Sequence, residues 1–198
     1  FGFFTIIIEF WRGIKVRINK YNENILESFI NMIQKNRSRY GGYIVHLGIV
    51  IMFIGFIGKA FDIEKESTLR IGESISLSNY EILLLNLTED ERLNHYAWIA
   101  KLQVSKNGKV ITNLLPEKRI YFHKNKNPDR RQPHSELSIY STWREDIYSI
   151  FGGIDPEKEL LSIKIMINRL VKLVWLGGYF LLFGTVIALW PKKTIKKI

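Results

Sequence analysis

The stretch RYGGYIVHLGIVIMFIGFIGKAF, residues 39–61, decides how the rest of the chain is interpreted. It is long and apolar, it has no formal charge over residues 40–58, and it contains His46. About 20 predominantly apolar residues are enough for a helix to cross a bilayer. An ionisable side chain inside such a segment is costly and predicts a functional site. The stretch therefore predicts a membrane-spanning helix with a candidate site at His46.

Three interpretations of His46 are compatible with the residues alone. A neutral imidazole can hydrogen-bond a Ser, a Thr or a carbonyl group of another helix. It can also bind haem iron as an axial ligand, since a glycine-lined helix face gives a porphyrin room. A proton relay is the third interpretation, but the two complete apolar segments contain no Asp or Glu to receive the proton. The residues alone support helix packing and haem binding by His46 equally.

Glycines mark one side of the same helix. Gly41, Gly48 and Gly55 recur at seven-residue steps and lie on roughly one stripe. Small residues allow another helix or a flat ligand to approach the backbone closely. The chain supplies one other complete apolar segment, residues 170–191, which has glycines and tryptophans of its own and ends at Pro191. A close helical partner is therefore expected.

The net charge of +10 is confined to the regions that flank the apolar segments. Residues 1–60 contain 8 basic and 3 acidic residues, and residues 170–198 contain 5 basic residues and no acidic one. Residues 61–169 are neutral, with 16 of each sign. This pattern is typical of the positive-inside rule and argues against a nucleic-acid-binding face. It predicts that both basic flanks are cytoplasmic and that the middle of the chain lies on the other side, in the periplasm of a bacterium.

The first 39 residues are expected to form two parts. Residues 1–11 are apolar and aromatic but too short to span, so they are predicted to be the end of a truncated membrane helix. Residues 12–39 are predicted to be a basic cytoplasmic linker with a short amphipathic helix, because Asn24 and Glu27 fit a capping box. The alternative is that this is an ordinary cytoplasmic linker helix packed on a neighbouring helix.

Residues 61–169 have the pattern of a small all-β domain, a sandwich or a barrel. Asn107-Gly108 between two alternating runs is a strong signal for a hairpin with a type I′ turn. The strand-like runs are residues 66–71, 74–77, 80–87, 97–104, 110–115, 117–122, 136–141, 146–151 and 159–166.

This middle region shows no catalytic constellation. His95, His123 and His134 lack metal-ligand spacing, and the chain has no cysteine for a disulfide or a thiolate site. The polar segment 123–134 is either a solvated loop or a docking site for a partner. The run STWRED, residues 141–146, is expected to be a strand end or turn with local ion pairing.

Several motifs resemble one family in the same order along the chain. RYGGYIVHLG (residues 39–48), EKESTLRIGES (64–74), PEKRIY (116–121), STWREDIY (141–148), WLGG (175–178) and ALWP (188–191) resemble the C-terminal portion of the CcmF family, the large haem lyase subunits of cytochrome c maturation. One departure is Asn168-Arg169-Leu170, where Asn-Pro-Leu is common in the family.

The resemblance implies a role in attaching haem to the CxxCH cysteines of apocytochrome c. It implies a b-type haem in the membrane held by two histidines on different helices, of which His46 matches one. It also implies partners: a haem chaperone, an apocytochrome-binding subunit and apocytochrome c. The second histidine and the family's Trp-rich haem-handling segment belong to an earlier part of the family's sequence. We therefore do not expect this chain alone to ligate haem, and a non-enzymatic assembly scaffold is the alternative.

The fold expected from these observations is a membrane α-helical protein of the inner membrane with an inserted all-β periplasmic domain. Its predicted segments are a truncated helix (1–11), a linker (12–39), a helix with His46 (40–60), the β domain (61–169), a final helix (170–191) and a basic cytoplasmic tail (192–198).

Overall fold

The computed structural model describes residues 2–122 and 133–191, which fall into a helical unit and a β unit. The helical unit contains the described residues up to Gly58 and from Leu170 onward, and the β unit spans Lys59–Arg169. The β unit is thus inserted between two parts of the helical unit. The predicted basic tail lies outside the described residues, as does most of the polar segment 123–134.

The described residues of the helical unit form four α-helices. They are α1 (Gly2–Tyr21), α2 (Ile25–Lys35), α3 (Arg37–Ile57) and α4 (Val171–Leu189). A 3-10 turn, Gly58–Phe61, continues α3. Within the described residues, α3 with this turn and α4 are long and apolar enough to cross a bilayer.

The predicted capping box at the start of α2 is confirmed. The Glu27 amide donates to Asn24 Oδ1 at 2.8 Å, and the Asn24 amide donates to Glu27 Oε2 at 3.3 Å. These two bonds satisfy amides that the first turn of a helix leaves without partners. They fix where α2 begins.

Helix α1 does not end near Trp11, where the sequence suggested an exit into a linker. It continues for ten residues to Tyr21, through the basic run. Lys and Arg are good helix formers, and no proline interrupts this run. The helix stops where Asn22 takes a left-handed conformation with φ of 54°. Arg17 and Glu23 then form an ion pair at 2.6 Å across the turn.

The glycine stripe of α3 packs against α4. Gly41, Gly48 and Gly55 are buried on α3, and Gly177 and Gly184 are buried on α4. A Cβ atom added to Gly41 would lie 2.6 Å from the backbone nitrogen of Ala188, so no side chain fits there. The stripe therefore serves helix packing, and it is already occupied within this chain.

The described residues of the β unit form ten strands. They are β1 (Ile63–Leu69), β2 (Ser74–Leu77), β3 (Tyr80–Glu91), β4 (His95–Lys106), β5 (Lys109–Leu114), β6 (Glu117–Tyr121), β7 (His134–Glu136), β8 (Ser138–Ser141), β9 (Glu145–Asp155) and β10 (Leu160–Arg169). One antiparallel sheet has the order β1-β10-β9-β8. The other has the order β2-β3-β4-β6-β7, and β5 also pairs with β4.

The core of the β unit lies between inward-facing residues of both sheets. Alternation along β10 buries Leu161, Ile163, Ile165 and Ile167, and their neighbours face outward. A strand presents successive side chains to opposite faces, so this period-2 pattern marks a half-buried strand. The other buried residues of this core are Leu69, Ile75, Tyr80, Ile82, Leu84, Ala100, Leu102, Val104, Leu114, Ile147 and Phe151. The sandwich alternative of the sequence prediction is the one observed.

The predicted hairpin between β4 and β5 is confirmed, because Asn107 and Gly108 both have positive φ, 50° and 76°. The predicted single strand over residues 136–141 is wrong. Leu137 separates β7, which pairs with β6, from β8, which pairs with β9 in the other sheet. No proline or glycine marks the break within residues 136–141, so the sequence alone does not reveal a change of sheet.

Candidate functional site

His46 lies on α3 but not on the face that packs against α4. It is exposed, whereas Gly48, two residues later, is buried against Gly177. Two residues correspond to about 200° around a helix of 3.6 residues per turn. The imidazole therefore points away from α4, and packing between these two helices does not need it.

One hydrogen bond fixes the protonation pattern of the imidazole. Nδ1 of His46 lies 2.8 Å from the carbonyl oxygen of Gly42, one turn earlier. A carbonyl oxygen only accepts, so Nδ1 carries the proton in this contact. In the neutral ring, Nε2 then keeps its lone pair. No other hydrogen bond of His46 forms within residues 2–122 and 133–191. This is the arrangement that metal-ligating histidines commonly show.

The surroundings of His46 fit a flat apolar group. A Cβ atom added to Gly42 would meet nothing within 4 Å, so the helix surface one turn before His46 is open. Ile49 and Phe53 follow at helical spacing on the same side, and both are exposed. A porphyrin bound through Nε2 would therefore meet apolar side chains and no competing charge. The residues present fit one half of a haem site.

The proton-relay interpretation gains no support from the helices. Asp62 is the acidic residue nearest in sequence to the two complete apolar segments, and it accepts a hydrogen bond from the Arg169 amide at 2.9 Å. Glu9 on α1 forms an ion pair with Arg39 at 2.7 Å. Arg39 also donates to the Tyr43 hydroxyl at 3.1 Å. The described residues thus offer His46 no carboxylate as a proton acceptor.

An apolar groove opens on a different side of the helices. It has a volume of about 760 Å³, and His46 does not line it. Its walls come from all four helices and carry no charged side chain. They are Ile6, Ile7, Phe10, Trp11, Ile14, Phe29, Ile44, Leu47, Leu176, Tyr179, Phe180, Phe183 and Ile187. The groove offers surface for apolar packing but no catalytic group.

The histidines of the β unit are closer together than their spacing suggests. His95 and His134 both contact the Tyr121 ring, with ring centroids 5.2 and 5.8 Å apart respectively. His95 is buried, and its Nδ1 lies 2.6 Å from Asn94 Oδ1. Within the described ranges, no group of three His, Cys, Asp or Glu side chains is placed to hold a metal ion. His123 lies outside those ranges.

The run STWRED forms a turn, as predicted, but its ion pairing is not local. Glu145 accepts a hydrogen bond from the Tyr80 hydroxyl at 2.7 Å and one from Lys106 Nζ at 3.1 Å. Lys106 also donates to Tyr80 Oη at 2.8 Å. Tyr80 and Lys106 belong to the other sheet, so this polar cluster ties the two layers together. No sequence signal linked these three residues.

The cluster shifts the acidity of its members. Burial acts to raise the pKa of Glu145, but the hydrogen bonds from Tyr80 and Lys106 outweigh it and hold that pKa below its usual value. Burial raises the pKa of Tyr80. The hydrogen bonds to Tyr80 and Glu145 raise the pKa of Lys106. At neutral pH the cluster is a carboxylate, a neutral phenol and an ammonium group, which suits a structural tie.

Comparison with known proteins places the chain in a family. Residues 60–169 match the family model described as the CcmF C-terminal beta-sandwich. The cytochrome c-type biogenesis protein CcmF of Haemophilus influenzae is 24% identical over 169 residues, which cover 84% of this chain and 25% of that protein. The cytochrome c-type biogenesis protein ccl1 of Rhodobacter capsulatus is 26% identical over 159 residues, with coverage of 79% and 23%.

The fold also has a counterpart among solved structures. The chain aligns with a cytochrome c haem lyase CcmF at a TM-score of 0.64 and 18% identity, covering 95% of this chain and 34% of that one. The likeness in fold thus extends over nearly the whole chain. The chain spans about a quarter of the length of the curated relatives that it matches. Because the family model covers more than half of its residues, the chain belongs to the CcmF family and represents a C-terminal portion of such a protein.

Proposed function

We propose that this chain is the C-terminal part of a haem lyase subunit that acts in cytochrome c maturation. Its family membership and the names of its relatives support this role. Because the chain spans about a quarter of those relatives, haem ligation itself would require the rest of the subunit. The reaction served would be attachment of haem to the CxxCH cysteines of apocytochrome c.

The proposed topology has α3 and α4 crossing the bacterial inner membrane. Residues 12–39 and 192–198 would face the cytoplasm, and the β domain, residues 61–169, would lie in the periplasm. The apolar residues 1–11, which include the first half of α1, would lie within the bilayer. The concentration of basic residues on the two flanks supports this orientation.

His46 is proposed to be one axial ligand of a b-type haem in the membrane, with the second ligand outside this chain. The observation that carries this proposal is the hydrogen bond from Nδ1 to the Gly42 carbonyl, on an exposed apolar face of α3. The bond holds the ring in one orientation and leaves Nε2 as an iron ligand. Gly42, Ile49 and Phe53 would line one side of the haem. Bound haem would supply one-electron redox chemistry at this position.

The β domain is proposed to be a scaffold that docks other maturation subunits. Candidate partners are the haem chaperone, the apocytochrome-binding subunit and apocytochrome c. The two-layer core and the Tyr80–Lys106–Glu145 cluster support a rigid platform. The described residues hold no metal cluster of their own that would suggest separate chemistry.

Haem content tests the proposal. His46→Ala is made in the membrane complex, and the haem-to-protein ratio is measured by absorbance after purification. His134→Ala is the matched control, since His134 is also exposed but lies in the β domain. We expect the b-type haem to be lost from His46→Ala and kept in His134→Ala. Undiminished haem in both variants would leave the chain as a non-enzymatic assembly scaffold.

A further inference from the structure

We propose that the turn between β8 and β9, residues 142–144, anchors the sandwich on the bilayer surface through Trp143 and nearby basic side chains. The occupant of this surface is the headgroup region of anionic phospholipid. The inference rests on the proposed membrane topology and deepens it. It assigns a role to a residue that neither the haem site nor the sandwich core uses.

The turn presents Trp143 in a defined position. The Trp143 side chain is 80% exposed, so nothing within the described chain covers it. Hydrogen bonds between Thr142 and Glu145 close the turn. Thr142 Oγ1 donates to the Glu145 carbonyl at 2.7 Å, and the Thr142 amide donates to the same carbonyl at 3.1 Å. The exposed indole is therefore carried on an ordered turn.

Trp143 lies at the end of the sandwich where the chain enters from, and returns to, the apolar helices. Glu145 pairs with Arg169, the last residue of β10. The Arg169 amide donates to Asp62 Oδ1 at 2.9 Å, beside the first residue of β1. Both covalent junctions with α3 and α4 are thus at this end of the sheet. If those helices span the bilayer, the chain leaves the bilayer and returns to it through this end of the domain.

The charges near Trp143 complement anionic lipid. Arg144, the next residue after Trp143, is exposed, and Lys109 is exposed on the β4–β5 hairpin. This hairpin reaches the same end of the domain, because Lys106 at its base bonds Glu145. Neither Arg144 nor Lys109 forms an ion pair with any other residue that the structure describes. Lys59 is a third exposed cation, at the junction with α3.

The combination matches the chemistry of a membrane interface. Tryptophan is enriched at headgroup depth, where its ring is desolvated and its N–H stays among polar groups. Lys and Arg side chains near an anionic lipid surface are attracted to it. A single exposed aromatic residue is ordinary on a protein surface. Here the indole, the unpaired cations and both helix junctions occur at one end of the domain.

The chain offers an internal control for position. Leu93 is fully exposed at the tip of the β3–β4 hairpin. It lies at the far end of β3 from Tyr80, whose hydroxyl bonds Glu145. At about 3.3 Å per residue, the 11 steps from Tyr80 to the end of β3 correspond to roughly 36 Å. Leu93 should therefore stay in water while Trp143 meets lipid.

Site-directed spin labelling of the full chain tests the inference. The chain has no cysteine, so Trp143→Cys, Leu93→Cys and Phe53→Cys each carry one label on an unmodified background. Each variant is reconstituted in nanodiscs of zwitterionic lipid with or without phosphatidylglycerol. Collision rates with oxygen and with a water-soluble nickel complex report the depth of each label.

We expect the label at Phe53 to be shielded from nickel, the label at Leu93 to be fully accessible, and the label at Trp143 to be several-fold less accessible than that at Leu93. Phosphatidylglycerol should increase this difference. Equal nickel accessibility at Trp143 and Leu93, with Phe53 shielded, would overturn the anchor and leave the topology intact. An accessible Phe53 label would overturn both.

Discussion

Gly48 of α3 and Gly177 of α4 lie so close that a Cβ atom added to Gly48 would be 2.6 Å from the Gly177 carbonyl oxygen. Backbone atoms block the space, so no side-chain rearrangement can relieve such a contact. The same stripe leaves His46 on another face of α3. The two features that drew attention to this helix, its glycines and its histidine, thus lie on two different faces of it.

Gly48→Ala should destabilise the pairing of α3 with α4. The added methyl group forces the helices apart, and overpacking of this kind costs about 1–3 kcal/mol. Gly42→Ala is the matched control, because its Cβ would meet nothing within 4 Å. The measurement is the thermal unfolding midpoint in detergent. Equal midpoints for the two variants would contradict the close approach.

Gly42→Leu should reduce haem content while His46 stays in place. A leucine side chain would occupy the open space at residue 42, one turn before His46, where a porphyrin is proposed to lie. The hydrogen bond from Nδ1 uses the backbone carbonyl of residue 42, so it is retained. Gly42→Ala adds one methyl group and should lower haem content less. Full haem content in Gly42→Leu would place the haem elsewhere.

The stability of the β domain should depend on pH through Glu145. Its pKa is lowered in the folded state, so its stabilising effect is present above the unfolded value of about 4.3 and is lost as pH falls through the folded pKa. Glu145→Gln should therefore be less stable than the parent at pH 7, by about 1–3 kcal/mol. The difference in stability between the parent and Glu145→Gln should disappear as the pH falls from about 5.

Glu64→Gln is the control for this pH dependence. Glu64 pairs with Lys164 at 3.0 Å, but its side chain is 64% exposed. Exposed pairs contribute little, so this variant should follow the parent within about 1 kcal/mol at all pH values. Denaturant unfolding monitored by tryptophan fluorescence measures both variants. A constant gap between the parent and Glu145→Gln down to pH 3 would contradict the role of the carboxylate.

Gly108→Ala should destabilise the β4–β5 hairpin. Gly108 has φ of 76°, a conformation that costs an L-residue about 1–2 kcal/mol. Its Cβ would meet nothing within 4 Å, so the loss is one of backbone conformation alone. Asn107→Gly keeps the turn type and should be nearly neutral. Denaturant unfolding distinguishes the two, and equal stability would exclude the type I′ turn.

Local signals in the sequence predicted much of this fold. The capping box at Asn24, the hairpin at Asn107 and the apolar segments with their glycines each depend on residues a few positions apart. Sequence reasoning failed where the outcome depends on distant partners. It did not find the extension of α1 beyond Trp11, because basic residues suit both a helix and a linker.

Contacts between residues far apart in the sequence limited how much of the β domain could be predicted. The sequence predicted local ion pairing for Glu145, but its partners Tyr80 and Lys106 are 65 and 39 residues away along the chain. The change of sheet at Leu137 was missed for the same reason, since it depends on the distant strands with which β7 and β8 pair, and no proline or glycine marks it. The glycine stripe predicted that either another helix or a flat ligand packs against α3. The structure shows that α4 occupies this face.

The central claim is that His46 is an axial ligand of a haem in the membrane. Its most direct test is His46→Met in the membrane complex, studied by electron paramagnetic resonance of the oxidised haem, with His134→Met as the control. A change of axial ligand alters the coordination signature of the iron and raises its reduction potential. We predict that the bis-histidine signature disappears from His46→Met and persists in His134→Met. A bis-histidine signature that persists in both variants would contradict the assignment.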